Sequence, residues 1–193
     1  MARGTIGLFG GTFDPPHLGH VAAARAAIAA LDCERLVVTV ANDPQLKAEA
    51  PVAPAQVRLA MTRAAFDGID RVEVSDLELR RGGPTYSIDT VTALLAESPG
   101  SHVVLVLGAD AAASLGSWHR ADELARLVTV AVVPRPGGAT LEPEGFSVQR
   151  VAMAPVDLSS TAVRAALRRG DDPGGLLPDG VVRMLLANPL YAP

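Results

Sequence analysis

Two histidines three positions apart, His17 and His20, are the side chains whose type and spacing best suit chemistry in the run GLFGGTFDPPHLGH (residues 7–20). Residues at i and i+3 share one face of a helix, so a helix that begins near Pro16 would hold both imidazoles at its positive N-terminal end. A neutral imidazole can donate an N–H to a phosphate oxygen, and a protonated one also supplies charge. Polyphosphate transfer needs such donors where negative charge accumulates, so the pair indicates a phosphate-binding site.

The residues around this pair favour the same interpretation. Gly10 and Gly11 would let the backbone approach a ligand closely and adopt positive φ, and Pro15 and Pro16 would stiffen the path to the helix. Gly19 would allow a second close approach, beside the free N–H groups at the helix start. The sequence contains no G-x-x-x-x-G-K-[ST], which excludes a P-loop. It also has no G-x-G-x-x-G that opens a helix here, which disfavours a dinucleotide redox fold.

Strand-like and helix-like segments alternate along the chain. The predicted strands are residues 5–9, 35–40, 72–79, 102–107, 128–133 and 146–153, and the predicted helices include residues 19–30, residues 53–66 and a helix with Ser87 as its N-cap. This alternation predicts an α/β fold with a doubly wound, mostly parallel sheet. Ligands bind such sheets at the carboxyl ends of the strands, which is where the loop with the two histidines falls.

Length and composition set further limits. The chain of 193 residues suits a single α/β domain over residues 1–193, with a small helical C-terminal part at residues 158–193. The formal net charge of -4 argues against a nucleic-acid partner. We find neither a signal peptide nor an apolar run of roughly 18 residues, and we therefore expect a cytoplasmic protein without a membrane partner. The one cysteine, Cys33, cannot form an internal disulfide.

Several motifs resemble a known enzyme family. GGTFDPPHLGH resembles the signature of the nucleotidyltransferase superfamily that shares an H-x-G-H element with class I aminoacyl-tRNA synthetases, and LSSTAVR (residues 158–164) is similar to its I-S-S-T-x-[IV]-R motif. RRGGPTYSIDTV, GADAAASLGSWHRADELARL, VVPRPG and LPDGVVRMLLANPLY look like the bacterial nicotinate mononucleotide adenylyltransferases. The resemblance covers almost the whole chain. It implies a Rossmann-like nucleotidyltransferase fold and the reaction of nicotinate mononucleotide with ATP, giving nicotinate adenine dinucleotide and pyrophosphate.

The resemblance also implies roles for individual residues on the triphosphate side. His17 and His20 would act on the triphosphate and the transition state, and Arg164 would bind the leaving phosphates. The same cradle would include Ser159, Ser160 and Thr161, and the path of the triphosphate would be lined by Gly10, Gly11, Thr12 and Phe13. The chemistry of these residues is consistent with that, because serines that open a helix expose N–H groups and an arginine fork suits phosphate.

Other residues would contact the two nucleosides. The resemblance assigns Gly108 and Asp110 to the adenosine side, Arg135 to the adenine or phosphate end, Thr85 and Tyr86 to the pyridine carboxylate, and Trp118 to the pyridine ring. An indole face suits a flat heteroaromatic ring. No metal site built from protein ligands is evident, so we expect Mg²⁺ to be held mainly by the ATP phosphates and water.

One loop departs from the family pattern. Where the family has P-x-x-x-P-P-H-K after the second strand, this chain has VANDPQLKAEA, with Ala41 in place of the first proline and Lys47 as the remaining cation. Fewer prolines leave a loop more conformational freedom. The departure keeps two alternatives open: transfer to another phosphorylated acceptor, or from CTP, and a nucleotide-binding regulator without catalysis. The sequence leaves a homo-oligomer open as well.

Overall fold

A computed structural model of the chain describes residues 4–45, 50–134, 143–154 and 156–191. Within those ranges the elements follow in the order β1 (Thr5–Gly11), α1 (Leu18–Leu31), β2 (Arg35–Val40), β3 (Asp43–Pro44), α2 (Ala55–Phe66), β4 (Val72–Ser75), α3 (Leu77–Arg81), β5 (Pro84–Thr85), α4 (Ser87–Glu97), β6 (His102–Gly108), α5 (Ala109–Ala113), a 3-10 turn (Leu115–Ser117), α6 (Ala121–Leu127), β7 (Val128–Val133), β8 (Ser147–Arg150), α7 (Ser160–Arg168) and α8 (Asp179–Ala187). In this described part of the chain, none of the helices combines the length and the apolar content that crossing a membrane requires.

Six strands form one sheet in the order β4-β2-β1-β6-β7-β8, and each neighbouring pair is parallel. The chain moves outward from β1 to β2 and β4, then returns to the other side of β1 as β6. The strand order therefore reverses between β1 and β6, where doubly wound sheets bind their ligands. The predicted α/β fold and parallel sheet are confirmed. A second, two-stranded parallel sheet pairs β3 with β5.

The sheet is buried on both faces, as expected for parallel strands covered by helices. Along β6, Val104 and Val106 face one apolar cluster, which includes residues of α1, α2, α7 and α8. Val103, Leu105 and Leu107 face the other cluster, which includes residues of α4, α5 and α6. The alternation of strand side chains thus divides the core into two layers.

Two predicted elements prove different in the structure. Residues 72–79 were expected to form one strand, but β4 ends at Ser75 and α3 begins at Leu77. The hydroxyl of Ser75 accepts the N–H of Leu77, and the N–H of Arg80 reaches the carbonyl of Asp76, so local polar groups turn the chain into a helix. Ser87 is the first residue of α4, and the N-cap is Tyr86.

Other predictions differ at the ends of elements. β1 runs on to Gly11 because its last residues pair with Thr39 and Val40 of β2. The strand predicted over residues 146–153 is the shorter edge strand β8, and the helix predicted over residues 53–66 begins only after Pro54. These differences leave the predicted parallel, doubly wound sheet intact.

α8 packs closely on α2 through Gly180, and this contact gives a stability prediction. A Cβ atom at Gly180 would lie 2.6 Å from the carbonyl oxygen of Ala64. Overpacking a fixed backbone costs about 1–3 kcal/mol, whereas alanine improves helix propensity by only about 1 kcal/mol. We therefore expect Gly180→Ala to lower the free energy of unfolding, measured by urea denaturation. Gly116→Ala is the control, because nothing lies within 4 Å of its Cβ position. Equal urea midpoints for the two variants would contradict the close contact.

Candidate active site

The two histidines lie together at the N-terminus of α1, which packs beside β1. His17 is the N-cap residue, and its backbone N–H donates to Nδ1 of His20 over 3.1 Å. The two rings stack with centroids 3.7 Å apart and planes 28° apart. The shared helix face that the i, i+3 spacing predicts is therefore present. Because the backbone of one histidine binds the ring of the other, the helix end and the orientation of the pair depend on each other.

Because Gly19 has no side chain, it leaves space for the ring of His17. A Cβ atom at Gly19 would lie 3.0 Å from both Cε1 and Nδ1 of His17, and 3.6 Å from Cβ of Leu158. Since His17 is buried and stacked on His20, its ring has little space to move away. The glycine of the H-x-G-H element is thus required for side-chain packing, and its own φ is not positive.

Gly10 and Gly11 contradict the expectation of positive φ at this loop. Both belong to β1, and Phe13 is the residue that adopts the left-handed conformation, with φ 51°. The Phe13 ring meets His20 edge-on, with centroids 4.9 Å apart. A Cβ atom at Gly11 would lie 2.8 Å from that ring. The strand therefore needs glycine for space at position 11, and the turn is made two residues later, at Phe13.

The N-terminus of α7 lies against the loop between β1 and α1. The hydroxyl of Ser160 donates to the carbonyl of Pro15 over 3.0 Å, and Nη1 of Arg164 donates to the carbonyl of Asp14 over 2.8 Å. Ser159 caps α7 by accepting the N–H of Ala162 over 3.1 Å. These bonds bring the two phosphate-type motifs together, although about 140 residues separate them along the chain.

Arg164 is held mainly by protein groups. Its side chain is only 16% exposed, with Nη1 3.8 Å from Oδ2 of Asp14 and Nη2 donating to the hydroxyl of Thr161 over 3.4 Å. Its Nε is buried, and among the described residues it has no hydrogen-bond partner. A buried guanidinium N–H without a partner is costly, so Arg164 keeps an unmet hydrogen-bonding capacity at the junction of α1 and α7.

Asp14 is a site residue that sequence reasoning missed. Its buried carboxylate accepts three hydrogen bonds, from the backbone N–H groups of Val52 (2.8 Å) and Ala53 (3.0 Å) and from the hydroxyl of Tyr191 (2.7 Å). Burial raises the pKa of Tyr191 well above its ordinary value, and the bond to Asp14 raises it further. The carboxylate therefore joins the β1–α1 loop to the start of α2 and to the C-terminal end of the chain.

Arg58 of α2 is the second residue that was missed. It is 1% exposed, and its guanidinium donates to the carbonyls of Ala53 (3.0 Å), Thr12 (2.8 Å), Ala41 (2.8 Å) and Asn42 (3.3 Å). Burial lowers its pKa, although the charges of Asp14 and Tyr191 oppose that shift. The sequence offered no signal for this role, because an arginine in a helix is usually exposed.

The residues predicted for the pyridine side lie around β5. The hydroxyl of Thr85 accepts the backbone N–H of Asn42 over 3.0 Å, and the ring of Tyr86 packs on His119 with centroids 4.3 Å apart. Trp118, next in sequence to His119, donates its indole N–H to Ser114 over 3.0 Å. An open cavity of about 420 Å³ lies beside it, lined by Gly116, Trp118, Arg120, Ala121, Asp122, Glu123 and Arg126.

The remaining predicted residues fall into two groups. Gly108 ends β6 and is the N-cap of α5, and Asp110 lies in the first turn of α5. Both therefore lie at the carboxyl edge of the sheet, where the strand order reverses. Lys47 and Arg135 lie outside the described residues.

Comparison with known proteins identifies relatives over almost the full length. The family described as cytidylyltransferase-like matches residues 8–166. A protein of Gemmatimonas aurantiaca, named "Probable nicotinate-nucleotide adenylyltransferase", is 36% identical over 194 residues, covering 96% of this chain and 92% of the relative. A protein of Bordetella petrii with the same name is 38% identical over 195 residues, covering 96% of this chain and 98% of the relative.

Solved structures share the fold. The nicotinic acid mononucleotide adenylyltransferase of Plasmodium falciparum, complexed with NaAD, superimposes with a TM-score of 0.83 and covers 98% of each chain at 17% identity. This likeness supports the Rossmann-like arrangement of sheet and helices described above.

The Tyr191–Asp14 bond predicts a specific dependence of stability on pH. The folded protein keeps the Tyr191 proton to a higher pH than the unfolded chain, in which the ordinary tyrosine pKa is about 10. Above that pH the unfolded chain binds fewer protons, so the free energy of unfolding falls as pH rises. We expect Tyr191→Phe to be less stable at pH 8 by about 1–2 kcal/mol and to lose part of the decline above pH 10.

The measurement is urea denaturation at several pH values from 8 to 11. Tyr86→Phe is the matched control, because it removes the other tyrosine hydroxyl and leaves the bond to Asp14 in place. This control should keep the decline above pH 10. A Tyr191→Phe curve that runs parallel to the wild-type curve over the whole range would contradict the proposed linkage.

Proposed function

We propose that the chain, which belongs to the cytidylyltransferase-like family and within it to the nicotinate-nucleotide adenylyltransferases, transfers AMP from ATP to nicotinate mononucleotide. The products are nicotinate adenine dinucleotide and pyrophosphate, which makes the reaction a step of NAD biosynthesis. The observation that carries the proposal is the junction of α1 and α7. Ser160 and Arg164 bind the loop that ends in His17, so two helix N-termini meet in one place.

The chemistry needs neither a covalent intermediate nor a strong base. A phosphate oxygen of the mononucleotide is already anionic at neutral pH, and it attacks the α-phosphorus of ATP in line. The bond between that phosphorus and the bridging oxygen breaks, and pyrophosphate leaves with the electron pair. Catalysis then consists mostly of positioning and of stabilising negative charge, as in other phosphoryl transfers.

The triphosphate side of the proposal uses the two helix N-termini. His17, His20 and the first N–H groups of α1 would face the triphosphate, where the helix dipole adds to their effect. Arg164, with the N–H groups at the start of α7, would bind the leaving phosphates. The hydroxyl of Ser160 already binds the carbonyl of Pro15, so its contribution would be to hold the cradle together. Ser159, Thr161, Gly10, Gly11, Thr12 and Phe13 complete the proposed cradle.

The two nucleosides would lie on either side of this cradle. We assign Gly108, Asp110 and Arg135 to the adenosine side, Thr85, Tyr86 and Trp118 to the pyridine, and Lys47 to the phosphate of the acceptor. The position of Gly108 and Asp110 at the carboxyl end of β6 supports the first assignment. The cavity beside Trp118 supports the assignment of that residue, because an aromatic wall suits a planar ring, whereas Thr85 and Tyr86 are not among the residues that line it.

The proposal also covers the metal ion, the domain and the setting of the reaction. Among the described residues, no group of three or more His, Cys, Asp or Glu side chains is arranged to hold a metal ion. Mg²⁺ would then arrive with the ATP phosphates and supply charge neutralisation.

Residues 1–193 would act as one domain, with residues 158–193 providing the second half of the cradle. We place the reaction in the cytoplasm and leave a homo-oligomer open.

The direct test is release of pyrophosphate. Purified protein is assayed with ATP and Mg²⁺ and with nicotinate mononucleotide, nicotinamide mononucleotide or phosphopantetheine as the acceptor, and then with CTP in place of ATP. We expect turnover with ATP and nicotinate mononucleotide. Turnover only with another acceptor, or only when CTP replaces ATP, would show that the enzyme uses a different substrate. ATP binding without any turnover would favour a regulator.

The histidine pair can be tested through Gly19. Gly19→Ala places a Cβ atom 3.0 Å from the His17 ring, so we expect the ring to shift and kcat to fall at least about tenfold. His17→Ala and His20→Ala should lose more activity than Gly19→Ala while keeping a wild-type circular dichroism spectrum. Gly180→Ala is the control, because its added Cβ would meet Ala64 of α2 and not the histidine pair. Below its Tm, this variant should keep the wild-type kcat. Unchanged kcat in Gly19→Ala would refute the requirement for this packing.

A further inference from the structure

Arg58 is a buried cation whose partners are backbone carbonyls. It makes four hydrogen bonds of 2.8–3.3 Å, and it takes part in none of the ion pairs within 4 Å among the described residues. A buried charge contributes little to stability compared with an apolar side chain of similar volume. Arg58 instead connects three separate stretches of the chain, to which its carbonyl partners belong.

The first stretch is the β1–α1 loop, reached through the carbonyl of Thr12. The second is the end of β2, where the guanidinium binds the carbonyls of Ala41 and Asn42. The third is the start of α2, reached through the carbonyl of Ala53. A planar guanidinium fixes the directions of its donors, so these segments are held at defined separations from one another.

Asn42 extends this connection to the pyridine side. Its side-chain amide donates to the carbonyl of Gly83 over 2.9 Å, and its backbone N–H donates to the hydroxyl of Thr85 over 3.0 Å. The next N–H, of Asp43, reaches the same hydroxyl over 3.3 Å. A continuous set of hydrogen bonds therefore runs from Thr12 through Arg58 and Asn42 to Thr85.

We infer that Arg58 is a positioning residue that, through Asn42, fixes the distance between the phosphate loop at Thr12 and the acceptor segment at Thr85. The inference rests on the proposed function, in which the first segment binds ATP and the second binds the mononucleotide. In-line transfer requires the attacking oxygen to be aligned with the α-phosphorus. A displacement of about 1 Å between the two segments therefore lowers the rate strongly.

Loss of this connection affects the two substrates unequally. The β1–α1 loop has further supports in the bonds of Asp14 and Pro15 to α7 and in the bonds of the Asp14 carboxylate. The carbonyl of Asn42 lies beyond the last residue of β2, and its described hydrogen bond comes from Arg58. The N–H of Ala41 also donates to the carbonyl of Gly11 over 2.9 Å, so the end of β2 stays attached without Arg58. A weakened Arg58 should therefore loosen the acceptor segment from Asn42 onward while the ATP side stays in place.

The kinetic test uses Arg58→Lys and Asn42→Ala in the full chain. A lysine ammonium keeps the charge but cannot reach four carbonyls, so we expect the KM for nicotinate mononucleotide to rise about tenfold and kcat to fall, with the KM for ATP changing less than about threefold. Asn42→Ala should shift the same constants in the same directions by a smaller factor. The double variant should lose less than the product of the two single effects, because both act on one connection.

Arg63→Lys is the matched control. Arg63 lies on the same helix, and its side chain is 56% exposed, with an ion pair of 3.8 Å to Asp76. All assays are run well below the Tm of each variant, so that only folded enzyme is compared. A merely structural role of Arg58 would lower Tm and leave both KM values as in the wild type. That outcome, in Arg58→Lys and in Asn42→Ala, would overturn the inference.

Amide hydrogen exchange separates this inference from the proposed function. The N–H groups of Asn42 and Asp43, which bind Thr85, should exchange at least about tenfold faster in Arg58→Lys than in the wild type and in Arg63→Lys. Wild-type protein without turnover on nicotinate mononucleotide would refute the proposed function and leave this readout intact. Unchanged exchange at both amides would refute the connection itself, whichever acceptor the enzyme uses.

Discussion

The buried carboxylate of Asp14 is the interaction on which the rest of the site depends. A charge in the interior must be compensated, and Asp14 is compensated by two backbone N–H groups, the Tyr191 hydroxyl and the nearby guanidinium of Arg164. These partners come from the start of α2, the C-terminal end and α7. One residue of the β1–α1 loop thus draws three distant parts of the chain to the carboxyl edge of the sheet.

This convergence has an electrostatic consequence. α1 and α7 bring their positive N-terminal ends to the same place, and neither end is neutralised by an acidic side chain in its first turn. Hydrogen bonds from Ser160 and Arg164 to backbone carbonyls hold the two ends together in spite of their like polarity. The junction therefore combines two helix N-termini with the Arg164 guanidinium, whose charge is offset in part by the Asp14 carboxylate 3.8 Å away. Free N–H groups at helix N-termini suit a phosphate.

The sequence was sufficient for features that depend on short-range patterns. Alternating strands and helices predicted the parallel sheet, and the i, i+3 spacing predicted the shared face of His17 and His20. Features that depend on long-range packing were not predictable. Nothing local marks Tyr191 as the partner of Asp14, 177 residues away, or Arg58 as a buried residue on an apparently ordinary helix. The alternation of residues 72–79 breaks after Val74, and the sequence predicted an irregular strand there. It did not predict helix α3, because an apolar alternation of two residues fits a strand and a short helix equally well.

The glycines illustrate the same limit. Gly10, Gly11 and Gly19 were expected to let the backbone approach a ligand. In the structure, the groups that lie close to Gly11 and Gly19 are the rings of Phe13 and His17. Sequence alone shows that space is needed and does not show what fills it. In this protein the space is used twice by aromatic side chains that set the position of the histidine pair. The glycines at positions 11 and 19 therefore act on the orientation of the imidazoles, through the space that they leave for the rings of Phe13 and His17.

The two halves of the site are supported in different ways, which bears on how the acceptor is selected. The phosphate cradle is held by bonds between residues 145 and 150 positions apart, so it depends on the whole fold. The segment at Thr85 is held by bonds among residues 42, 43, 83 and 85, and Arg58 and the Ala41–Gly11 backbone bond link it to the β1–α1 loop. Because the second set is confined to two short segments, substitutions there can change the fit of the acceptor without disturbing the cradle. Under the proposed assignment of the two sides, substitutions in these few residues would change acceptor binding first and ATP binding least.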